Sequence, residues 1–195
     1  MCSAGTRLFV HESLHDEVAQ RIAQSASTQK VGSPFAPDTR LGPLISRRQM
    51  DRVLEYIADG RQAGAALRLG GQRVGDSGHF VAPTVFSGVA NGMRIAREEI
   101  FGPVLSIIPF RDEDDAVLQG NDTPYGLAAA VWTRDIARAH RVARRLKAGR
   151  VWINTYGEAD PVMAFGGYKQ SGVGREFGVE SIDAYTQTKA VLVRF

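Results

Sequence analysis

At 195 residues, with 44% hydrophobic and 23% charged residues, the chain is long enough for one domain with its own core, and its composition is that of an ordinary globular protein. Its longest apolar runs, Val104–Phe110 and residues 127–132, fall far short of a bilayer span, and no basic segment leads into an apolar one at the N-terminus, which argues against a membrane protein and for a cytoplasmic location. The net charge of +3 is dispersed. The densest basic group, Arg138, Arg141, Arg144, Arg145, Lys147 and Arg150, lies on a predicted helix and its exit with no interleaved aromatic platform, so it reads as a solvated face and not as a nucleic-acid groove.

In chain order, residues 7–10 read as a short strand, and Leu14, Val18 and Ile22 recur every four residues in a helix starting near Ser13. Gly32-Ser33-Pro34 ends that unit, and a Pro- and Gly-rich loop runs to Pro43. Ser46-Arg47-Arg48-Gln49 offers a capping box for a helix over residues 46–63, whose apolar stripe is Met50, Val53, Leu54, Ile57 and Ala58. Ala66–Leu69 and residues 80–86 read as strands separated by Gly-rich turns. Val104–Phe110 is a nearly uninterrupted apolar run, as in a parallel strand covered on both faces. Residues 112–120 read as a short helix with acidic residues in its first turn, where the helix dipole favours them. A further buried strand over 127–133 follows, then a helix capped by Asp135 that carries Ile136, Ala139, Ala143 and Leu146 to a stop at Gly149, and residues 151–154 return to the sheet.

This alternation predicts an α/β fold, a mostly parallel sheet with flanking helices. The last third differs. Residues 156–163 have no period and read as a loop, residues 166–178 hold five glycines, and residues 186–195 read as a terminal strand. Such a strand pairs either within its own chain or with another subunit's sheet.

One cysteine excludes an intramolecular disulfide, which leaves Cys2 as a small apolar residue, an incidental thiol or a nucleophile. The four histidines lack partners at metal-ligand spacing, so no metal site is expected. Glu98 and Glu99 invite an acid/base reading, but adjacent residues on extended backbone point apart, and a surface acidic pair is the simpler outcome. Gly166 to Gly172 begins like a phosphate-binding loop, yet Val173 stands where that loop needs lysine, and no third glycine follows Gly172-Val173-Gly174 at dinucleotide-fingerprint spacing. These glycines read as sites of close backbone packing.

Met1-Cys2-Ser3-Ala4-Gly5-Thr6-Arg7-Leu8-Phe9-Val10, Glu98-Glu99-Ile100-Phe101-Gly102-Pro103-Val104 and Phe165-Gly166-Gly167-Tyr168-Lys169-Gln170-Ser171-Gly172 occur in this order. Together they resemble the carboxyl-terminal part of the NAD(P)-dependent aldehyde dehydrogenase superfamily. The resemblance implies that Cys2 is the catalytic nucleophile, with backbone N–H groups around Cys2 and Ser3 as oxyanion donors. It implies that Glu99 binds the ribose next to the nicotinamide and that Phe101 packs near its ring. Tyr156, Met163 and Phe165 become the candidate substrate pocket, with Glu158 and Asp160 either an acidic rim suited to a cationic aldehyde or two solvated charges. Ala164 departs from the family pattern, which usually has proline before this phenylalanine.

The cofactor so implied is NAD or NADP, with NAD favoured, and the implied partners are a small-molecule aldehyde and further copies of the chain joined through the terminal strand, with neither nucleic acid nor membrane. Residues 1–170 would be a catalytic domain truncated before the nucleophile, and 171–195 a C-terminal segment with the oligomerisation strand. The resemblance also implies that the cofactor domain, a general-base glutamate and an asparagine oxyanion donor lie upstream of Cys2, so that the chain alone would be inactive. Two competing readings are a non-catalytic scaffold of the same fold and, more remotely, a cysteine hydrolase.

Overall fold

The structure, a computed structural model, describes residues 1–195 and divides into two units, Met1–Asp122 and Thr123–Phe195. This partition of the backbone is separate from the functional boundary expected at 170/171.

In the first unit, strand β1 (Arg7–His11) leads through one turn of 3-10 helix into α1 (His15–Ser27), and after a loop come α2 (Arg47–Gln62), β2 (Ala66–Leu69), β3 (Thr84–Ser87), the short α3 (Arg94–Arg97), β4 (Val104–Phe110) and α4 (Glu113–Asn121). The sheet order is β1-β4-β3-β2. β4 pairs in parallel with both β1 and β3, whereas β2 and β3 pair antiparallel with a register shift between Leu67 and Leu69. The fold is therefore α/β with a mixed, mostly parallel sheet, and the expected single strand over 80–86 is confined to its last part, Val81 making only an isolated bridge to Arg73.

Alternation along the strands builds two apolar layers. Phe86, Val104 and Ile108 face α2 and α3, where they meet Met50, Val53, Ile57 and Ile95. Val85, Leu105 and Ile107 point the other way, to Val18, Ala19 and Ile22 of α1. Phe86 and Ile107 are fully buried, and each such side chain contributes about 1.5–3 kcal/mol through burial. On α2 the buried stripe is Met50, Val53, Tyr56, Ile57 and Gly60, with Leu54 half-buried; Ala58, expected in the stripe, is exposed and Tyr56 takes the apolar side.

The Ser46 hydroxyl accepts from the Gln49 N–H at 3.2 Å, a cap worth about 1 kcal/mol. The capping box is nevertheless only half made, because the Gln49 side chain does not turn back toward Ser46. It crosses instead to the chain after α3. α4 begins one residue later than expected, with Asp112 as its cap, accepting from the Asp115 N–H at 2.9 Å.

In the second unit, β5 (Tyr125–Gly126), β6 (Ala128–Val131), α5 (Ile136–Arg145), β7 (Arg150–Ile153), β8 (Tyr168–Lys169) and α6 (Glu180–Asp183) follow. β6 and β7 pair in parallel with α5 between them, and β5 pairs antiparallel with β8. Asp135 caps α5 by accepting from the Arg138 N–H at 3.0 Å. β6 is half-buried along its length, not buried as its apolar run suggested. Gly149 and Gly166 show why this region holds glycine: a Cβ on Gly149 would sit 1.7 Å from the Gly166 carbonyl oxygen, closer than any rearrangement of side chains could relieve.

The terminal segment corrects the expectation of a strand. Residues 186–195 form no strand, and the backbone pairs with nothing after Tyr185. Val191, Leu192 and Val193 are exposed. An apolar run has strand propensity but becomes a strand only beside an edge, and within this chain none accepts it.

Candidate active site

α3 stops at Arg97, and Glu98 continues on extended backbone at φ −109° and ψ 153°, so successive side chains diverge. Glu98 turns toward α2, where its carboxylate accepts from the buried Tyr56 hydroxyl at 2.6 Å and from Arg94 Nε at 3.2 Å. These contacts, the tyrosine bond first, hold the Glu98 carboxyl below the ordinary glutamate range, while burial of the Tyr56 hydroxyl and its bond to Glu98 push the phenol up. Arg94 also pairs with Glu55 at 2.9 Å and with Asp59, and its guanidinium lies over the Tyr56 ring at 4.3 Å. Glu98 is thus a structural carboxylate.

Glu99 is exposed, and what is tied down is its carbonyl, which accepts from Arg52 Nη2 at 3.1 Å. Gln49 Nε2 donates to the carbonyls of Ile100 and Phe101 at 2.9 and 3.1 Å. Ile100 is buried beneath them, and Phe101 adopts φ +57° with its ring 52% exposed. Left-handed backbone is costly for phenylalanine, and the two bonds from Gln49 hold it there. The next residue must be small, since a Cβ on Gly102 would lie 2.5 Å from a methyl of fully buried Val53. α2 therefore grips the backbone from Glu99 to Gly102 while the Glu99 carboxylate and Phe101 ring remain available.

Both residues line an open cleft of about 900 Å³ together with Ile45, Ser46, Gln49 and Arg52. A carboxylate that can accept two hydrogen bonds, beside an exposed aromatic ring, fits the ribose and ring of a nicotinamide nucleoside. Cys2 does not line this cleft. Its thiol is exposed, on a turn closed by the Ala4 N–H donating to the Met1 carbonyl at 3.2 Å, shortly before β1. β1 is anchored at its first residue: Arg7 donates to Asn91 Oδ1 at 3.1 Å and to the Gly120 carbonyl at 3.0 Å, where it also serves the C-terminal end of α4.

In the second unit the loop over 156–165 carries the pocket candidates. The Tyr156 ring rests 4.8 Å from that of Trp152, and Met163 is exposed. Phe165 exchanges backbone bonds with Glu176 at 2.7 and 2.8 Å, and Arg150 binds the chain just before it. The two loop acids serve local turns. Glu158 accepts from the Thr155 hydroxyl at 2.6 Å, and Asp160 from the Val162 N–H at 3.0 Å. Both acids, expected either as an acidic rim or as two solvated charges, are exposed and bonded within their own loop.

Sequence reasoning missed Gln49, Arg52, Tyr56 and Arg150. Gln49 had a signal, its place in the capping box, but that pattern is local and its acceptors lie 51 and 52 residues away.

The first unit thus presents an exposed thiol on the turn before β1 and, on a second turn, an exposed carboxylate and ring. The family model described as "Aldehyde dehydrogenase family" matches residues 1–191, and the chain belongs to that family. It is 50% identical over 193 residues to an aldehyde dehydrogenase of Davidiella tassiana, covering 99% of this chain and 39% of that protein. To a mitochondrial aldehyde dehydrogenase of Leishmania tarentolae it is 48% identical, covering 98% of this chain and 38% of that protein. The solved NAD+ complex of an aldehyde dehydrogenase from Bacillus cereus superposes with a TM-score of 0.96 at 46% identity, over 99% of this chain and 39% of that one. The chain thus spans about 39% of the length of such relatives.

Proposed function

We propose that the chain is the carboxyl-terminal catalytic part of an aldehyde dehydrogenase that oxidises an aldehyde to a carboxylic acid with NAD(P)+, NAD being favoured. Residues 1–170 then belong to the catalytic domain and 171–195 to a C-terminal oligomerisation segment. The observation that carries this reading is the division of labour in the first unit: Glu98 is consumed by Tyr56 and Arg94, whereas Cys2, Glu99 and Phe101 stand exposed on backbone that their neighbours hold.

In this mechanism the Cys2 thiolate adds to the carbonyl carbon, a C–S bond forms, and the π electrons move to oxygen. The Cys2 backbone N–H donates to that oxyanion, a type of interaction worth about 3 kcal/mol per donor. Glu99 would hold the ribose of the cofactor by accepting from its hydroxyls, and Phe101 would lie beside the nicotinamide. The cofactor, when bound, supplies the acceptor for the hydride that leaves carbon as the carbonyl re-forms. The product on Cys2 is a thioester. Water cleaves it to the carboxylic acid and regenerates the thiolate, the proton passing to a general-base glutamate that the resemblance places upstream of Cys2. The balance is aldehyde, water and NAD(P)+ to acid, NAD(P)H and a proton.

The cytoplasm is the location we favour; the Leishmania tarentolae relative is named mitochondrial. No helix is long and apolar enough to cross a membrane.

The test is Cys2→Ala and Cys2→Ser in the full-length protein. Both should lower kcat by about a thousandfold or more while cofactor binding, read by fluorescence titration, persists. Retention of more than a few per cent of kcat would remove the thioester mechanism, whereas a wild type without turnover would favour the scaffold reading.

A further inference from the structure

On β7, Arg150 and Trp152 are two residues apart, so their side chains share a face of the strand. Each reaches the polypeptide that loops back after the strand. Trp152 Nε1 donates to the Glu158 carbonyl at 2.9 Å. Arg150 Nη2 donates to the Met163 carbonyl at 2.8 Å and the Ala164 carbonyl at 3.4 Å, and its guanidinium lies over the Phe165 ring at 4.9 Å.

Arg150 is 8% exposed, its acceptors include no carboxylate, and its Nε–H is buried without a partner. Burying a guanidinium on those terms is unfavourable, and a methionine of similar reach would serve packing better. What arginine adds is two directed donors and a flat stacking face. Here both bonds, from Nη2, go to residues 163 and 164, and the face lies nearer the Phe165 ring, at 4.9 Å, than that of Trp152, at 5.9 Å.

We propose that Arg150 is a positioning residue of the substrate pocket: it fixes Met163-Ala164-Phe165 and so sets the direction of the Phe165 ring against which aldehydes are selected. The inference rests on the reading of this loop as a pocket wall. Ala164 leaves its own backbone free to turn, and no restriction arises there as it would at proline. Arg150 supplies that restriction from the neighbouring strand, by holding the carbonyls of both residues that lead into the ring.

The experiment uses the full-length protein with Arg150→Met, Arg150→Lys, and Arg150→Met combined with Ala164→Pro. The measurements are kcat/KM for short aliphatic, branched and aromatic aldehydes, KM for NAD, and amide hydrogen exchange at Met163 and Phe165. The Met variant should change the ratio of kcat/KM between the smallest and bulkiest aldehydes by about tenfold and leave KM for NAD within about twofold. Exchange at Phe165 should accelerate by at least about tenfold. The Lys variant, which keeps a donor without the planar face, should fall between, and Ala164→Pro should return the Met variant toward wild-type selectivity. A uniform loss across aldehydes, or unchanged Phe165 exchange in both single variants, overturns the proposal. Should the Met variant fail to fold, the Lys variant decides by the same readouts. Absence of dehydrogenase activity in the wild type would overturn the proposed function alone, because the exchange measurement still tests whether Arg150 holds the loop.

Discussion

Glu98 and Glu99 are identical in composition and adjacent in sequence, yet their environments predict opposite consequences for the same substitution. Glu99→Gln should raise KM for NAD or slow hydride transfer by about tenfold with little change in Tm, because Glu99 is held through its carbonyl and not through its carboxylate. Glu98→Gln should lower Tm and leave KM for NAD nearly unchanged, since its carboxylate ties Tyr56 and Arg94 together. Equal kinetic effects of the two changes would show the register to be wrong. The pH dependence follows from the depressed Glu98 carboxyl: the stability it contributes is present above the unfolded-state value and is lost as pH falls through the lower folded-state value. Acid denaturation curves should therefore flatten below the ordinary glutamate range in Glu98→Gln. That the two side chains point apart was legible from the alternation of extended backbone. The inward partner of Glu98 was not, because Tyr56 and Arg94 reach it from another helix.

At the scale of elements, β4 and α2 were readable for different reasons. β4 has the same bounds in sequence and structure because its apolar run needs covering on both faces, and β1 and β3 flank it while α1 and α2 lie over the two sides. α2 declares itself by a cap and a stripe. α3, four residues long, is too short to display a period, and the antiparallel direction of β2 depends on how the connection of residues 70–83 turns, which no alternation pattern records. The closest approach between elements gives the sharpest test. Gly149→Ala places a methyl against the Gly166 carbonyl, and because backbone meets backbone the variant should lose about 3 kcal/mol or more. Chemical denaturation would report it as a lower midpoint; an unchanged midpoint would contradict the proximity of β7 to the glycine-rich segment.

For the molecule as a whole, the terminal segment is the part whose state the chain does not determine by itself. Residues 186–195 end in Val191-Leu192-Val193 exposed to solvent, and the proposal that they pair with another subunit predicts a change of mass, not merely of stability. Deleting 186–195 from the full-length protein should shift light-scattering mass from a multiple toward that of one protomer, whereas an unchanged mass would place oligomerisation elsewhere. Residues 1–195 expressed alone should form no NAD(P)H from an aldehyde panel, since the chain has no dinucleotide fingerprint. Composition marked this segment as strand-forming, but a strand is a relation between two segments, and within this chain residues 186–195 pair with none.

The left-handed backbone at Phe101 places two demands on one codon. Asparagine or glycine would adopt that conformation with less strain, and little buried apolar area would be forfeited, because the ring is half exposed. A library selected only for yield of folded protein should therefore drift toward those residues at position 101, while one selected for turnover should recover an aromatic. The spread between the two pools would measure, in population terms, how much folding fitness this turn surrenders if, as proposed, its ring serves the cofactor.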